Sequence, residues 1–185
     1  DADGNPLRLG DIIRLAKNAS GSGFNKRNFS LLGDPALILA YPWHGNVVTD
    51  SINSISLAEG TDSLKALSKI TVSGHIEDAS GAAMNDFNGI VSPVVYDKAY
   101  SIRTLANDGG STMQFDHRSN ILFSGKTKAE NGRFRFTFIV PRDIDYSYGD
   151  GKISYYASDE LRDMNGYLSD IIVGGFAETT VTDTV

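Results

Sequence analysis

"NGRFRFTFIVP", residues 131–141, alternates without interruption: Phe134, Phe136, Phe138 and Val140 fall on one side of an extended chain, and Arg133, Arg135, Thr137 and Ile139 on the other. Successive side chains of a strand point to opposite faces, so this stretch reads as a strand with one face made for a core. Asn131-Gly132 stands between it and "LFSGKTKAE", and Gly supplies the positive φ of a tight primed turn. The pair predicts a hairpin.

Outward from this strand the same texture recurs. Ile70, Val72, His75 and Ile76 with Thr71 and Ser73 between them, then Ile90 to Tyr96, Ile121 to Ser124, Ile153 to Ala157 and Asp170 to Val173, all read as strands. Turn chemistry separates them at Ala79-Ser80-Gly81, Asn107-Asp108-Gly109-Gly110 and Gly149-Asp150-Gly151. Many short strands with frequent turns predict a mainly β domain, an immunoglobulin-like antiparallel β-sandwich. Ahead of it, "PLRLGDIIRLAKNA" (Pro6 to Ala19) spaces Leu9, Ile12, Ile13 and Ala16 by three and four, which predicts one amphipathic helix. "NFSLLGDPALILAYP" (Asn28 to Pro42) is apolar on consecutive residues, as expected of a short segment buried on both faces or docked in a groove.

Composition narrows the function classes. The chain has 185 residues, 41% hydrophobic and 22% charged, enough for one well-buried core and a smaller piece beside it. The opening Asp1-Ala2-Asp3-Gly4-Asn5, without an initiating Met, reads as a cut within something longer. No run approaches the roughly 18 to 20 apolar residues of a membrane-spanning helix, so no membrane insertion is expected. The formal charge is −6 with scattered basic residues, which argues against a nucleic-acid partner. Zero Cys removes disulfides, thiolate metal sites and a cysteine nucleophile.

His44, His75 and His117 lack partners at metal-ligand spacing: His44 with Trp43 and Tyr41 suits a wedge between packed units, His75 a sheet edge or polar face, His117 a solvated strand or loop. Asp143, Asp145 and Asp150 in "DIDYSYGDGK" offer oxygens for Ca²⁺, but the spacing of an EF-hand loop and its terminal Glu are missing, so turn formation is the better reading. Ser80, Ser101, Ser111 and Ser154 never fall in G-x-S-x-G. No catalytic residue, no metal ligand and no cofactor is expected. Tyr146, Tyr148, Tyr155, Tyr156 and Tyr167 would make a binding platform only if exposed together, and adjacent Tyr155 and Tyr156 must point opposite ways.

"NFSLLGDPALILAYP" resembles the C-terminal end of the peptidase domain in gingipain-type cysteine peptidases, and Gly10 to Ala19 resembles the helix before it. "VSGHIEDASGAAMNDFNGIVSPVVYDK" (Val72 to Lys98), Asn131 to Ala157 and "GYLSDIIVGG" (Gly166 to Gly175) are similar to the region that follows the peptidase domain in the type IX secretion sortases of that family. The resemblance implies that residues 1–42 are the last helix and strand of a caspase-like α/β peptidase domain and 43–185 the sandwich beside it. Leu32, Gly33, Asp34, Pro35, Tyr41, Pro42 and Trp43 would form the junction. It also implies a parent at the cell surface that cleaves sorting signals from cargo, with the rest of the peptidase, secretion-system subunits or cargo as partners. The family's catalytic Cys and His precede the Leu-Gly-Asp-Pro motif, so this chain inherits neither. A support or docking domain is the expectation, with a free-standing carbohydrate- or protein-binding module as the alternative. A bare apolar face on residues 6–42 would predict a dimer or a self-docked helix.

Overall fold

The computed structural model describes residues 6–21, 23, 28–42, 44–60, 62–107 and 109–177. The chain divides into two compact units, Asp1–Tyr41 and Pro42–Val185.

In the first unit, α1 (Leu9–Ala19) begins at Arg8, whose side chain makes no capping bond. The free amides of a helix start need other acceptors. The Gly-Asp-Pro turn provides them: Gly10 N–H donates to the Pro35 carbonyl and Leu9 N–H to that of Leu37, both at 2.9 Å. A Cβ on Gly10 would lie 2.9 Å from the Pro35 Cβ, so the approach depends on glycine. Asp34 Oδ1 accepts from Ala36 N–H at 2.8 Å and holds the turn. The expected strand and its burial on two faces are not found. Residues 29–42 carry no strand beyond an isolated bridge, Arg8 to Ile38, and Leu32, Leu37 and Ile38 are exposed. So short a piece has too little apolar surface to close a core of its own, and no residue of α1 is buried.

The second unit is all β. Its main strands are β1 (Gly45–Ile52), β4 (Lys69–Asp78), β5 (Gly89–Tyr96), β9 (Thr127–Glu130), β10 (Arg133–Ile139), β11 (Gly149–Ser158) and β12 (Asp163–Phe176). Short β2 (Ile55–Ser56), β3 (Leu64–Ala66) and β8 (Ile121–Ser124) add to β1, β12 and β5. A separate ribbon pairs β6 (Tyr100–Arg103) with β7 (Gln114–His117).

The order β1-β4-β10-β9-β5-β11-β12 returns to β1, so seven strands form a closed mixed barrel rather than the expected sandwich. All pairs in this ring are antiparallel except the closing one, where β1 and β12 run parallel through Asn46 and Asn165. Alternation is common to both architectures; closure comes from curvature. Register irregularities at Thr49/Ser51 and Gly151/Ile153 bend the wall, and the 14 residues of β12 reach back to the first strand. At the seam, a Cβ on Gly166 would stand 2.0 Å from the Val47 carbonyl oxygen, so only glycine lets β12 come so near.

The inward face of β10 fills the interior. Phe134, Phe136 and Phe138 are buried, and Phe123 stacks on the last two with ring centroids at 5.6 and 4.9 Å. Val72, Ile76, Val91, Val95, Ile153, Met164, Ile171 and Val173 complete the core with no exposure. His75 lies on the outer, polar face of β4, while Gly149-Asp150-Gly151 corrects its sequence reading by opening β11 instead of making a turn. The predicted hairpin turn is present, with Asn131 at φ 52° and Gly132 at φ 72° between Glu130 and Arg133.

Candidate functional site

One polar residue inside the barrel is Tyr155. It points inward from β11 and shares a 2.7 Å hydrogen bond with Thr49 of β1, both residues being buried. Burial pushes the phenol well above its ordinary value, and the Thr49 bond only partly opposes this. The pair ties β1 to β11, the two strands on either side of β12, across the core. Its role is structural, since the bond is buried within the core and joins β1 to β11.

A second polar cluster closes one barrel end. Asp97, buried, follows β5; its Oδ1 accepts from Lys98 Nζ at 2.9 Å and its Oδ2 from Asn120 Nδ2 at 3.0 Å. Lys98 Nζ also donates to the Asp145 carbonyl at 2.7 Å, and Arg118 Nη1 donates to the Asp97 and Asp150 carbonyls at 2.9 Å. The Asp143 to Lys152 segment thus gives the Asp145 and Asp150 carbonyls to an ammonium and a guanidinium. Ser147 donates through N–H and Oγ to Asp145, and these bonds hold the Asp145 carboxyl below the usual carboxylate range. Asp78 is lowered in the same way by Ser80 and the turn amides. Among the described residues no three His, Cys, Asp or Glu side chains converge as metal ligands.

The outer wall of β1, β4, β9 and β10 is the most chemically varied surface. His75 Nδ1 lies 2.6 Å from Asp50 Oδ1 and its Nε2 2.9 Å from Glu77 Oε1. Arg133 Nη1 stands 3.9 Å from Asp50 Oδ2, and Arg135 Nε donates to Ser73 Oγ at 3.1 Å. Thr71 and Thr137 share a hydrogen bond at 2.9 Å. These side chains meet because period-two alternation puts Arg133, Arg135 and Thr137 outside while the Phe residues go in. An open cavity of about 500 Å³ lies here, lined by Asp50, Ser73, Lys128, Glu130, Arg133 and Arg135 with Gly74 and Phe134 beneath. The alternation exposed the two arginines in the sequence; their convergence with Lys128, Ser73 and Asp50 was hidden, since it rests on strand register.

The other residues singled out from sequence are dispersed. His44 Nδ1 lies 3.1 Å from Asp163 Oδ1, and Trp43 falls outside the described residues. His117 packs edge-on against Tyr100 at 5.5 Å in the ribbon. Of the junction residues, Asp34 and Pro35 form the turn at the α1 start, while Leu32 and Tyr41 are exposed. The tyrosines divide: Tyr155 is buried, Tyr146 packs on Phe176 at 6.1 Å, and Tyr156 and Tyr167 are exposed on one outer face, with Lys152 over the Tyr167 ring at 5.0 Å. Sequence reasoning overlooked Arg162, which donates to Asp159 at 2.8 Å and Asp86 at 2.9 Å and sits 5.7 Å from the Phe87 ring centroid. The hydrogen bonds it donates to Asp159 and Asp86 raise its guanidinium further.

No family model matches the chain, and no curated protein does. Among solved structures it is similar to dimeric latent PorU from Porphyromonas gingivalis, at 26% identity and a TM-score of 0.63 over 96% of this chain. The chain spans 17% of the length of that structure. A sporulation control protein, Spo0M from Bacillus subtilis, matches at 15% identity and a TM-score of 0.40, over 71% of this chain and 50% of that one, and carries no weight for fold or function.

Proposed function

We propose that this chain is a non-catalytic support or docking domain of a surface cysteine peptidase of the PorU type, the sortase of the type IX secretion system. The similarity to PorU over 96% of the chain is the observation that carries the reading. A Cys-free sequence fits it, because the thiolate must then come from elsewhere in the parent. On this reading residues 1–42 are the trailing part of the peptidase domain, and the barrel supports or orients that domain at the cell surface. The motif Leu32 to Pro35 with Tyr41, Pro42 and Trp43 marks the passage from one to the other. The parent removes sorting domains from cargo and passes the new carboxyl end to a lipopolysaccharide-type amine; remaining peptidase domains, cargo and secretion subunits are the partners.

The test uses the full-length protein that contains this chain. A Cys and a His should stand upstream of Asp1 within a peptidase-sized region, and changing that Cys to Ala should abolish cargo cleavage. A parent without an upstream Cys, or cleavage that survives its loss, rejects the reading. Tyr156 and Tyr167, exposed together on one outer face of β11 and β12, favour a second reading as a carbohydrate-binding face. Tyrosine fluorescence unchanged across a panel of oligosaccharides would remove it.

A further inference from the structure

We propose that the outer wall over β4, β9 and β10 binds a tetrahedral oxyanion, the phosphate or sulfate of a monoester, in the cup between Lys128, Arg133 and Arg135. The three cations line one cavity of about 500 Å³, large enough for the anion and part of the group that carries it. Arg133 and Arg135 are two apart on one strand, so they project from the same face with bases roughly 7 Å apart. The bond from Arg135 Nε to Ser73 Oγ fixes that guanidinium, and its two terminal nitrogens have no partner among the described residues. The Lys128 ammonium makes no hydrogen bond or ion pair with the described residues either. Arg133 is held only loosely, at 3.9 Å from Asp50.

The cup also holds two carboxylates. Asp50, 2.6 Å from His75 and 3.9 Å from Arg133, and Glu130 both oppose an anion, against three cations. Guanidinium forks match the oxygens of phosphate or sulfate two at a time, and the Ser73 hydroxyl sits at the base as a further donor. An added β-strand from a protein partner does not fit, because β10 is paired on both sides, to β4 and to β9. Since the chain as a whole carries −6, attraction to an anion is confined to the cup and weakens with salt.

The experiment is a titration of the ¹⁵N-labelled chain with inorganic phosphate, inorganic sulfate and glucose 6-phosphate, followed by amide shifts. Saturable shifts at Ser73, Gly74, Lys128 and Arg133 to Arg135 are expected. R133Q and R135Q together should weaken binding by at least on the order of tenfold while the rest of the spectrum stays folded. Tighter binding of the sugar phosphate than of inorganic phosphate would identify a phosphorylated glycan as the source; equal binding would point to the free ion, and both support the site. Shifts scattered over all basic residues, an unchanged affinity in the double variant, or binding of hexaglutamate in preference to phosphate would overturn it. Charge removal at Arg103, outside the cup, serves as the control that should leave affinity intact.

Discussion

Phe136 of β10 and Phe115 of β7 both stand on the apolar side of an alternating strand, yet the first is 7% exposed and the second 44%. In the ribbon, Tyr100 faces His117 and Ile102 faces Phe115 on one side, while Ser101 faces Asp116 and Arg103 faces Gln114 on the other. That face is as regular as the inner wall of the barrel. The difference lies in what each strand pairs with. β10 has neighbours on both edges and curves with them around a shared interior, whereas β6 and β7 have only each other. A two-stranded ribbon has no second layer against which to bury its face, and is marginal by itself in water. Alternation specifies a face; only long-range closure makes it a core.

The largest expected effect sets these two residues against each other. Phe136→Ala should lower stability in urea by about 3–5 kcal/mol, whereas Phe115→Ala should stay within about 0.5 kcal/mol. Equal losses would mean that the ribbon is packed in solution, and the contrast would break. Next in size are the turns. At Gly132, φ is 72° and a Cβ would meet the Met84 carbonyl oxygen at 2.2 Å, so Gly132→Ala should cost about 2–3 kcal/mol by thermal melting. Gly109, in the ribbon loop at φ 76° with open space around it, should cost about 1 kcal/mol, for backbone strain alone.

Smaller still is the Tyr155 hydroxyl. Tyr155→Phe leaves Thr49 without its partner and should cost about 1 kcal/mol at neutral pH. The pH dependence has a definite sign. The folded phenol keeps its proton above the ordinary value of 10.0, while the unfolded one loses it there. The unfolded state therefore binds fewer protons above that pH, and stability falls as pH rises from there towards the folded value. Denaturant melts across this range should show a shallower fall in Tyr155→Phe; equal slopes would place the hydroxyl in contact with solvent. The smallest perturbation is hydrogen exchange, where amides of β6 and β7 should exchange through local opening well before those of β4, β10 and β11. Matching rates would make the ribbon part of the barrel's cooperative unit.

Several strands and the hairpin at Asn131-Gly132 were legible because they depend on local chemistry: a period of two, and a residue that accepts positive φ. Closure was not legible, because it joins Asn46 to Asn165 and rests on strand bends that no neighbouring residue announces. The same limit applied to the outer wall. Arg133 and Arg135 could be placed on one face from spacing alone, but the register that sets Ser73 beside Arg135 and Asp50 beside His75 belongs to the sheet. Gly149 to Gly151 misled for a related reason: glycines read as a turn, but here they open β11, and a Cβ on Gly151 would meet a Val173 methyl at 2.5 Å. Residues 28–42 misled in the opposite sense, since an apolar run implies burial only where something is available to cover it.

The parallel seam also sets the route of the chain through the barrel. The starts of β1 and β12 lie side by side at Asn46 and Asn165, so the chain enters the wall at Gly45 near one rim and leaves at Phe176 towards the other, roughly 35 Å along β12. Tension drawn between those two points would act along the strands, loading the hydrogen bonds of β1 to β4 and β12 to β11 together in shear instead of opening them one at a time. The barrel is then an inline coupling between whatever is joined to its two rims, and single-molecule stretching from Gly45 and Phe176 should require more force than peeling β12 away from its C-terminal end.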